Sequence, residues 1–206
     1  MITTLPVIDT ARLRLRPFQL RDAPAVERLA GDRQVADTTL NIPHPYRPGM
    51  AVAWIETHAL AFERLELATF AVERLTGQDL VGAISLRIKP AMSRAELGYW
   101  IGRPFWNMGF GTEAARATLG FAFHTLGLHR VHATHMLRNP ASGRVMQKCG
   151  MRREGVLRRH IRKWDVFEDV AVFGILRDEF DGAAAARPVT AGPTSPLDPA
   201  ATRADS

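Results

Sequence analysis

The 206-residue sequence predicts an α/β fold: a central, strongly twisted, mostly antiparallel mixed sheet with helices on both faces. Three observations carry this prediction. Three strand-like runs joined by turn sequences occupy the middle of the chain as an antiparallel meander. A glycine-rich loop then enters an amphipathic helix that is followed at once by another strand. Two more strand runs come after a short helix near the end.

Residues 12–16 alternate Arg and Leu, which places Leu13 and Leu15 on one face of a half-buried strand and Arg12, Arg14 and Arg16 on the other. Pro17 ends that strand or marks its edge. Asp22 is positioned to cap a short helix with Pro24 near its first turn, Val26, Leu29 and Ala30 at helical spacing, and Gly31 as the stop. Residues 32–47, with Pro43, Pro45 and Tyr46, read as an irregular loop. Pro48 opens a second helix whose Trp54, Ile55, Ala59, Phe62 and Leu65 form one apolar stripe. Residues 69–75 and 80–89 are strands flanking the turn sequence Thr76-Gly-Gln-Asp79, and 94–102 is a third. Helical spacing returns over 112–126, with Ala115, Leu119, Ala122, Phe123 and Leu126 on one side, and 129–136 is a strand. A helix over 141–149 closes at Gly150, and strands follow near 155–164 and 169–176. Residues 1–182 are therefore expected to fold, and 183–206, rich in Ala, Pro, Thr and Ser with no aromatic, to be a disordered tail.

With 46% hydrophobic and 23% charged residues the composition is that of a soluble globular protein. No basic stretch followed by an apolar run opens the chain and no run is apolar enough to span a bilayer, so a cytoplasmic location is expected. The single cysteine, Cys149, excludes an intramolecular disulfide and a cysteine-based zinc cluster, and is expected to fill an apolar slot. His129, His132 and His135 make no metal set, because on a strand the middle one points away from the other two. The net charge of +6 suits a polyanionic partner: a phosphorylated cofactor, an acidic substrate or RNA.

The informative stretch is Arg103-Pro-Phe-Trp-Asn-Met-Gly-Phe-Gly-Thr-Glu-Ala114. Gly109 and Gly111 lie between a strand and a helix, where backbone N–H groups converge without Cβ interference and the helix N-terminus adds partial positive charge. This is a pyrophosphate cradle. The absence of a third glycine at position 114 rules out the dinucleotide fingerprint, and the absence of Lys-Ser or Lys-Thr rules out a nucleotide-triphosphate loop.

Together with Thr10-Ala-Arg-Leu-Arg-Leu-Arg16, Ala95-Glu-Leu-Gly-Tyr-Trp-Ile101, the stretch 139–151 and Asp169-Val-Ala-Val-Phe-Gly-Ile-Leu-Arg177, this loop resembles the GNAT acetyltransferases, and more narrowly their RimJ/RimL-like, ribosomal-protein N-acetyltransferase branch. The resemblance covers about residues 10–180. Asn107 and Met108 depart from the usual Gly and polar residue, and Trp106 matches only this branch. It implies acetyl-CoA as co-substrate and a parallel pair of strands splayed at its slot. Pyrophosphate would rest on the amides of Asn107, Met108, Gly109, Phe110, Gly111 and Thr112, with Trp106 also at the cofactor, and the pantetheine arm would run along Leu97, Tyr99, Trp100 and Ile101. Asn139 would hold the arm, with Ser142 and Lys148 nearby.

Glu96 is the first candidate for the base that prepares the amine, although a carboxylate paired with a strand neighbour such as Arg94 is the plainer role. Many members of the superfamily protonate the leaving thiolate with a tyrosine; Met146 stands there, and Ser142 is the substitute, or simply the cap of its helix. Arg144 and Lys148, four apart, suit the adenosine-side phosphate, and His44, Tyr46 and Trp54 fall in the region that covers the acceptor.

The expected reaction is direct transfer to a primary amine, a protein N-terminus or a small molecule such as a polyamine, amino acid or antibiotic. A non-catalytic acyl-CoA sensor or an RNA-associated protein is the alternative. The basic run 152–163 reads as a solvated strand face, an acidic-substrate rim or a ribosomal-RNA contact. The partners exclude a membrane and leave a homodimer open.

Overall fold

A computed structural model describes residues 4–181. The expected tail at 183–206 lies outside the described residues. Eight strands form one sheet in the order β1-β2-β3-β4-β5-β6-β8-β7. They are β1 (Ile8–Asp9), β2 (Leu13–Pro17), β3 (Leu67–Arg74), β4 (Leu80–Lys89), β5 (Arg94–Ile101), β6 (Arg130–Met136), β7 (Arg152–Lys163) and β8 (Val166–Leu176). Every neighbouring pair is antiparallel except β5 with β6.

The helices are α1 (Ala23–Ala30), α2 (Arg33–Asp37), α3 (Met50–Glu56), α4 (His58–Glu63), α5 (Phe110–Gly120) and α6 (Pro140–Lys148). One core packs α5 against the sheet through Phe110, Ala114, Leu119, Leu97, Ile101, Val131, Ala133, Phe173 and Ile175. A second joins α1, α2 and α3 to Ala71, Ala83 and Trp100 on the other face. Successive strand residues point to opposite faces, so on β5 Glu96 and Gly98 share the side of Trp100, away from α5.

Several expectations change. Asp22 does not cap α1: its carboxylate takes the Gln19 N–H and both ends of the Arg16 guanidinium, at 2.7 and 2.9 Å. Arg16 is not a solvated strand residue but is buried between Asp22 and Glu73, because a guanidinium held by two carboxylates is neutralised where it sits. The expected loop 32–47 contains α2, capped by the Asp32 carboxylate accepting from Gln34 N–H. The helix expected from Pro48 splits into α3 and α4 at Thr57, whose hydroxyl donates to the Trp54 carbonyl at 2.7 Å and competes with the helical pattern; Ala59 is consequently exposed. The 112–126 helix starts earlier, at Phe110, and residues 121–125 finish it as a π turn.

Candidate active site

β5 and β6 pair over only three rungs, Arg94↔Arg130, Ala95↔Val131 and Glu96↔His132, and then separate. β5 remains paired to β4 along its whole length, through Gly82↔Ile101. Residues 97–101 therefore have a strand on one edge and none on the other, and a wedge-shaped slot opens between β5 and β6 above the Glu96–His132 rung. An unpaired strand edge is a row of backbone donors and acceptors ready for an extended ligand.

The loop over the wide end of this slot takes its shape from two left-handed residues, Asn107 at φ 61° and Gly109 at φ 82°, which turn the chain into the first turn of α5. Trp106 anchors the loop to the strand below, its indole N–H donating to the Ile101 carbonyl at 2.6 Å. A Cβ at Gly111 would lie 3.4 Å from Tyr99 Cε2 and 3.7 Å from a Val145 methyl, so the loop closes directly over the slot's lips. Asn107, Met108 and Gly109 are exposed, which fits a loop that presents its amides to a pyrophosphate at a helix N-terminus.

Sequence reasoning missed the brace beneath this loop. The Arg12 guanidinium donates to Glu113 Oε2 at 2.7 Å and to the Met108 carbonyl at 2.9 Å, and lies 4.8 Å over the Phe110 ring. The Arg12 N–H and the Thr10 hydroxyl both donate to Glu113 Oε1. Burial pushes the Glu113 carboxyl up, but these hydrogen bonds outweigh it and hold the group below its ordinary range. Arg12 and Glu113 were both visible in their motifs; their 101-residue separation hid the contact from any local pattern.

The opposite lip is α6. Asn139 caps it, its Oδ1 accepting from Ser142 N–H at 3.3 Å, and the Ser142 hydroxyl meets the Tyr99 hydroxyl at 3.1 Å across the slot. Burial pushes Tyr99 up to about 12, so it remains a protonated donor. Met146 is 2% exposed and belongs to the α5 core. Lys148 and Arg144 are exposed; the Lys148 carbonyl accepts from the Arg116 side chain at 2.6 Å, a tie between α5 and α6. Cys149 is buried, and burial raises its thiol to about 11, which leaves it unreactive.

The site thus brings together Leu97, Tyr99, Ile101, the loop 106–112, Asn139 and Ser142. Trp100 turns away into the α1–α3 core, so only its backbone faces the slot. Trp54 likewise packs edge-on against Phe18 and His58, a core role. Glu96 lies at the slot's base with Arg87 on the β4 side and His132 on the β6 side.

The Acetyltransferase (GNAT) domain profile matches residues 12–152. The chain belongs to the GNAT acetyltransferase family. YnaD of Bacillus subtilis, an uncharacterized N-acetyltransferase, is 32% identical over 178 residues, covering 84% of this chain and 99% of that protein. A GNAT-family acetyltransferase from Bacillus anthracis superposes with a TM-score of 0.75 at 28% identity, over 84% of this chain and 99% of that one. RimL, a ribosomal L7/L12 α-N-protein acetyltransferase solved with coenzyme A, superposes at 0.77 over 84% of this chain and 99% of that one; at 18% identity the likeness is one of fold. This GNAT chain is an N-acetyltransferase with acetyl-CoA as its acyl donor. Among the described residues no helix is long and apolar enough to cross a membrane.

Proposed function

We propose that the chain transfers acetyl from acetyl-CoA to the N-terminal α-amine of a protein, by direct attack in a ternary complex. The observation that carries this reading is the unpaired edge of residues 97–101 rising from the Glu96 rung. An extended pantetheine arm laid along that edge presents its thioester to the base of the slot, with the loop amides of residues 107–112 on the pyrophosphate and Asn139 and Ser142 on the far lip. Holding donor and acceptor side by side supplies much of the rate. A covalent enzyme intermediate has no support, because Cys149 is buried and protonated and the Ser142 hydroxyl meets the Tyr99 hydroxyl and no base that would activate it among the described residues.

In the reaction the ammonium first loses a proton at the slot's base, beside Glu96. The nitrogen then attacks the thioester carbon, and a β5 backbone amide meets the developing oxyanion. The thiolate leaves toward Ser142, whose hydroxyl is held by Tyr99.

A protein acceptor fits the face on which Glu96 lies. There Gly98 and Leu157 are exposed and Ser85 and Thr134 half-buried, beside the part of the face that α1, α2 and α3 cover. Two relatives point the same way. YdaF of Bacillus subtilis, a putative ribosomal N-acetyltransferase, is 33% identical over 105 residues, half of this chain and 57% of that protein. A putative ribosomal-protein-serine acetyltransferase from Vibrio cholerae is 26% identical with a TM-score of 0.69, over 82% of this chain and 97% of that one.

The test is acetyl transfer to peptides with free N-terminal serine, alanine or methionine, set against the same peptides N-terminally blocked and against spermidine. Transfer to the free peptides supports the reading; transfer confined to spermidine overturns it.

A further inference from the structure

We propose that His132 is the proton acceptor of the transfer reaction, set opposite Glu96 at the base of the slot. This rests on the α-amine reading above and deepens it. Strand register places the two residues opposite each other on the last rung before β5 and β6 part. Alternation sends both side chains to the face away from α5, since Ala95, Leu97, Val131 and Ala133 fill the α5 core. Beyond that rung the same face carries Gly98 and Trp100 on β5 and Thr134 and Met136 on β6, none of which takes a proton near neutral pH. Of the ionisable groups near the far end of the slot, Arg138 is engaged with Asp37 and Glu168, Lys163 with the Leu40 and Ile42 carbonyls, and His135, on the opposite face against Gly143 of α6, with the Met136 carbonyl at 2.8 Å through Nδ1.

The surroundings keep His132 in its receptive form. Burial lowers its pKa below the ordinary imidazole value; Glu96 acts in the opposite direction, Arg130 and Arg94 lower it further, and the Ala95 carbonyl raises it. Beyond His132 on this face, Gly174 leaves room for the Arg130–Glu154 ion pair, 2.6 Å long at its Nη1–Oε1 contact, and Glu154 is held low chiefly by Arg130. Arg87 completes the row on the β4 side. A neutral imidazole whose buried Nδ1 has no partner therefore stands opposite Glu96 at the base of the slot.

The proton balance follows. One N–H bond of the ammonium breaks, its electron pair remaining on nitrogen and its proton passing to His132 and then to water, while Glu96 offsets the imidazolium charge. The lone pair forms the C–N bond, and the C–S bond breaks with its pair going to sulfur. The second proton shed by nitrogen ends on sulfur through Ser142. A weak base of this kind suits an α-amine, with a pKa of about 8, better than a lysine or polyamine nitrogen above about 10. The acceptor class and the base therefore agree.

The experiment combines a pH series of kcat and KM, using a peptide with a free N-terminal serine as probe, with an NMR titration of the His132 ring. The variants are His132→Gln, His132→Asn and Glu96→Gln, each checked for folding by thermal unfolding. Expected are a loss in kcat of about 10²-fold for both His132 variants with KM for acetyl-CoA unchanged, disappearance of the acidic limb, and partial rescue by added imidazole. Glu96→Gln should move the His132 titration to lower pH. A His132 variant that keeps wild-type kcat and its acidic limb overturns the proposal, as does a His132 titration indifferent to Glu96→Gln. A wild type that leaves the peptide untouched overturns the acceptor reading instead, and the catalytic role with it, while the titration still decides whether the two residues are coupled.

Discussion

Ser142 illustrates how much one hydroxyl can carry at the residue scale. It belongs to the first turn of α6, where Asn139 accepts its backbone N–H, and this frees its side chain to face Tyr99 across the slot. Met146 is sealed in the core, and the proposed reaction gives this pair the place of the tyrosine that the family resemblance implies there. Ser142→Ala should lower kcat by about 10²-fold with little change in acetyl-CoA affinity, and Tyr99→Phe, acting through Ser142, by about tenfold; steady-state kinetics of both variants decides. The residue types around the loop were legible because glycines before a helix have a direct physical meaning. The Tyr99–Ser142 contact was not, since it joins residues 43 apart on separate elements. Arg16 was misread for a related reason: alternation gives a face, but only tertiary structure shows that Asp22 and Glu73 wait there.

Elements matter here through their ties. The Arg12–Glu113 brace links the start of β2 to the first turn of α5 and sets the loop's height above the slot. Arg12→Ala should raise KM for acetyl-CoA about tenfold while leaving kcat nearly unchanged, and Arg12→Lys should restore part of the loss; a fall in kcat alone would contradict a positioning role. The Arg16 cluster ties β2, β3 and the start of α1, and Arg16→Ala strands two buried carboxylates. Chemical denaturation should show a loss of about 3 to 5 kcal/mol. The meander, the loop-helix-strand unit and the last two strands were readable because period and turn chemistry are local. The short α2 and the break at Thr57 were not, for capping by Asp32 and capture of the Trp54 carbonyl are decided by single side chains.

At the scale of the whole molecule the fold is two half-cores on either face of a sheet that is whole except at one seam, and the chemistry is assigned to that seam. Stability should report a second feature, His58, buried against Phe18 and Trp54 and lowered to about 4 by that burial. Between about pH 6.5 and 4 the unfolded chain binds a proton that the folded chain refuses. Stability is therefore full above about pH 6.5 and falls as the pH drops toward 4, by about 2 to 3 kcal/mol in total. His58→Phe should flatten that part of the melting-temperature profile. Saturating acetyl-CoA at about a hundred times its Kd should add roughly 2.7 kcal/mol to the stability of the folded chain.

Whether the acyl donor lies on the unpaired edge of β5 is read from hydrogen exchange of residues 97–101 with and without acetyl-CoA. Slowed exchange is expected in that segment and in the loop 107–112, with both effects lost in a folded Gly111→Glu variant. Binding that protects the loop but leaves the 97–101 amides as fast as in the free chain would contradict it.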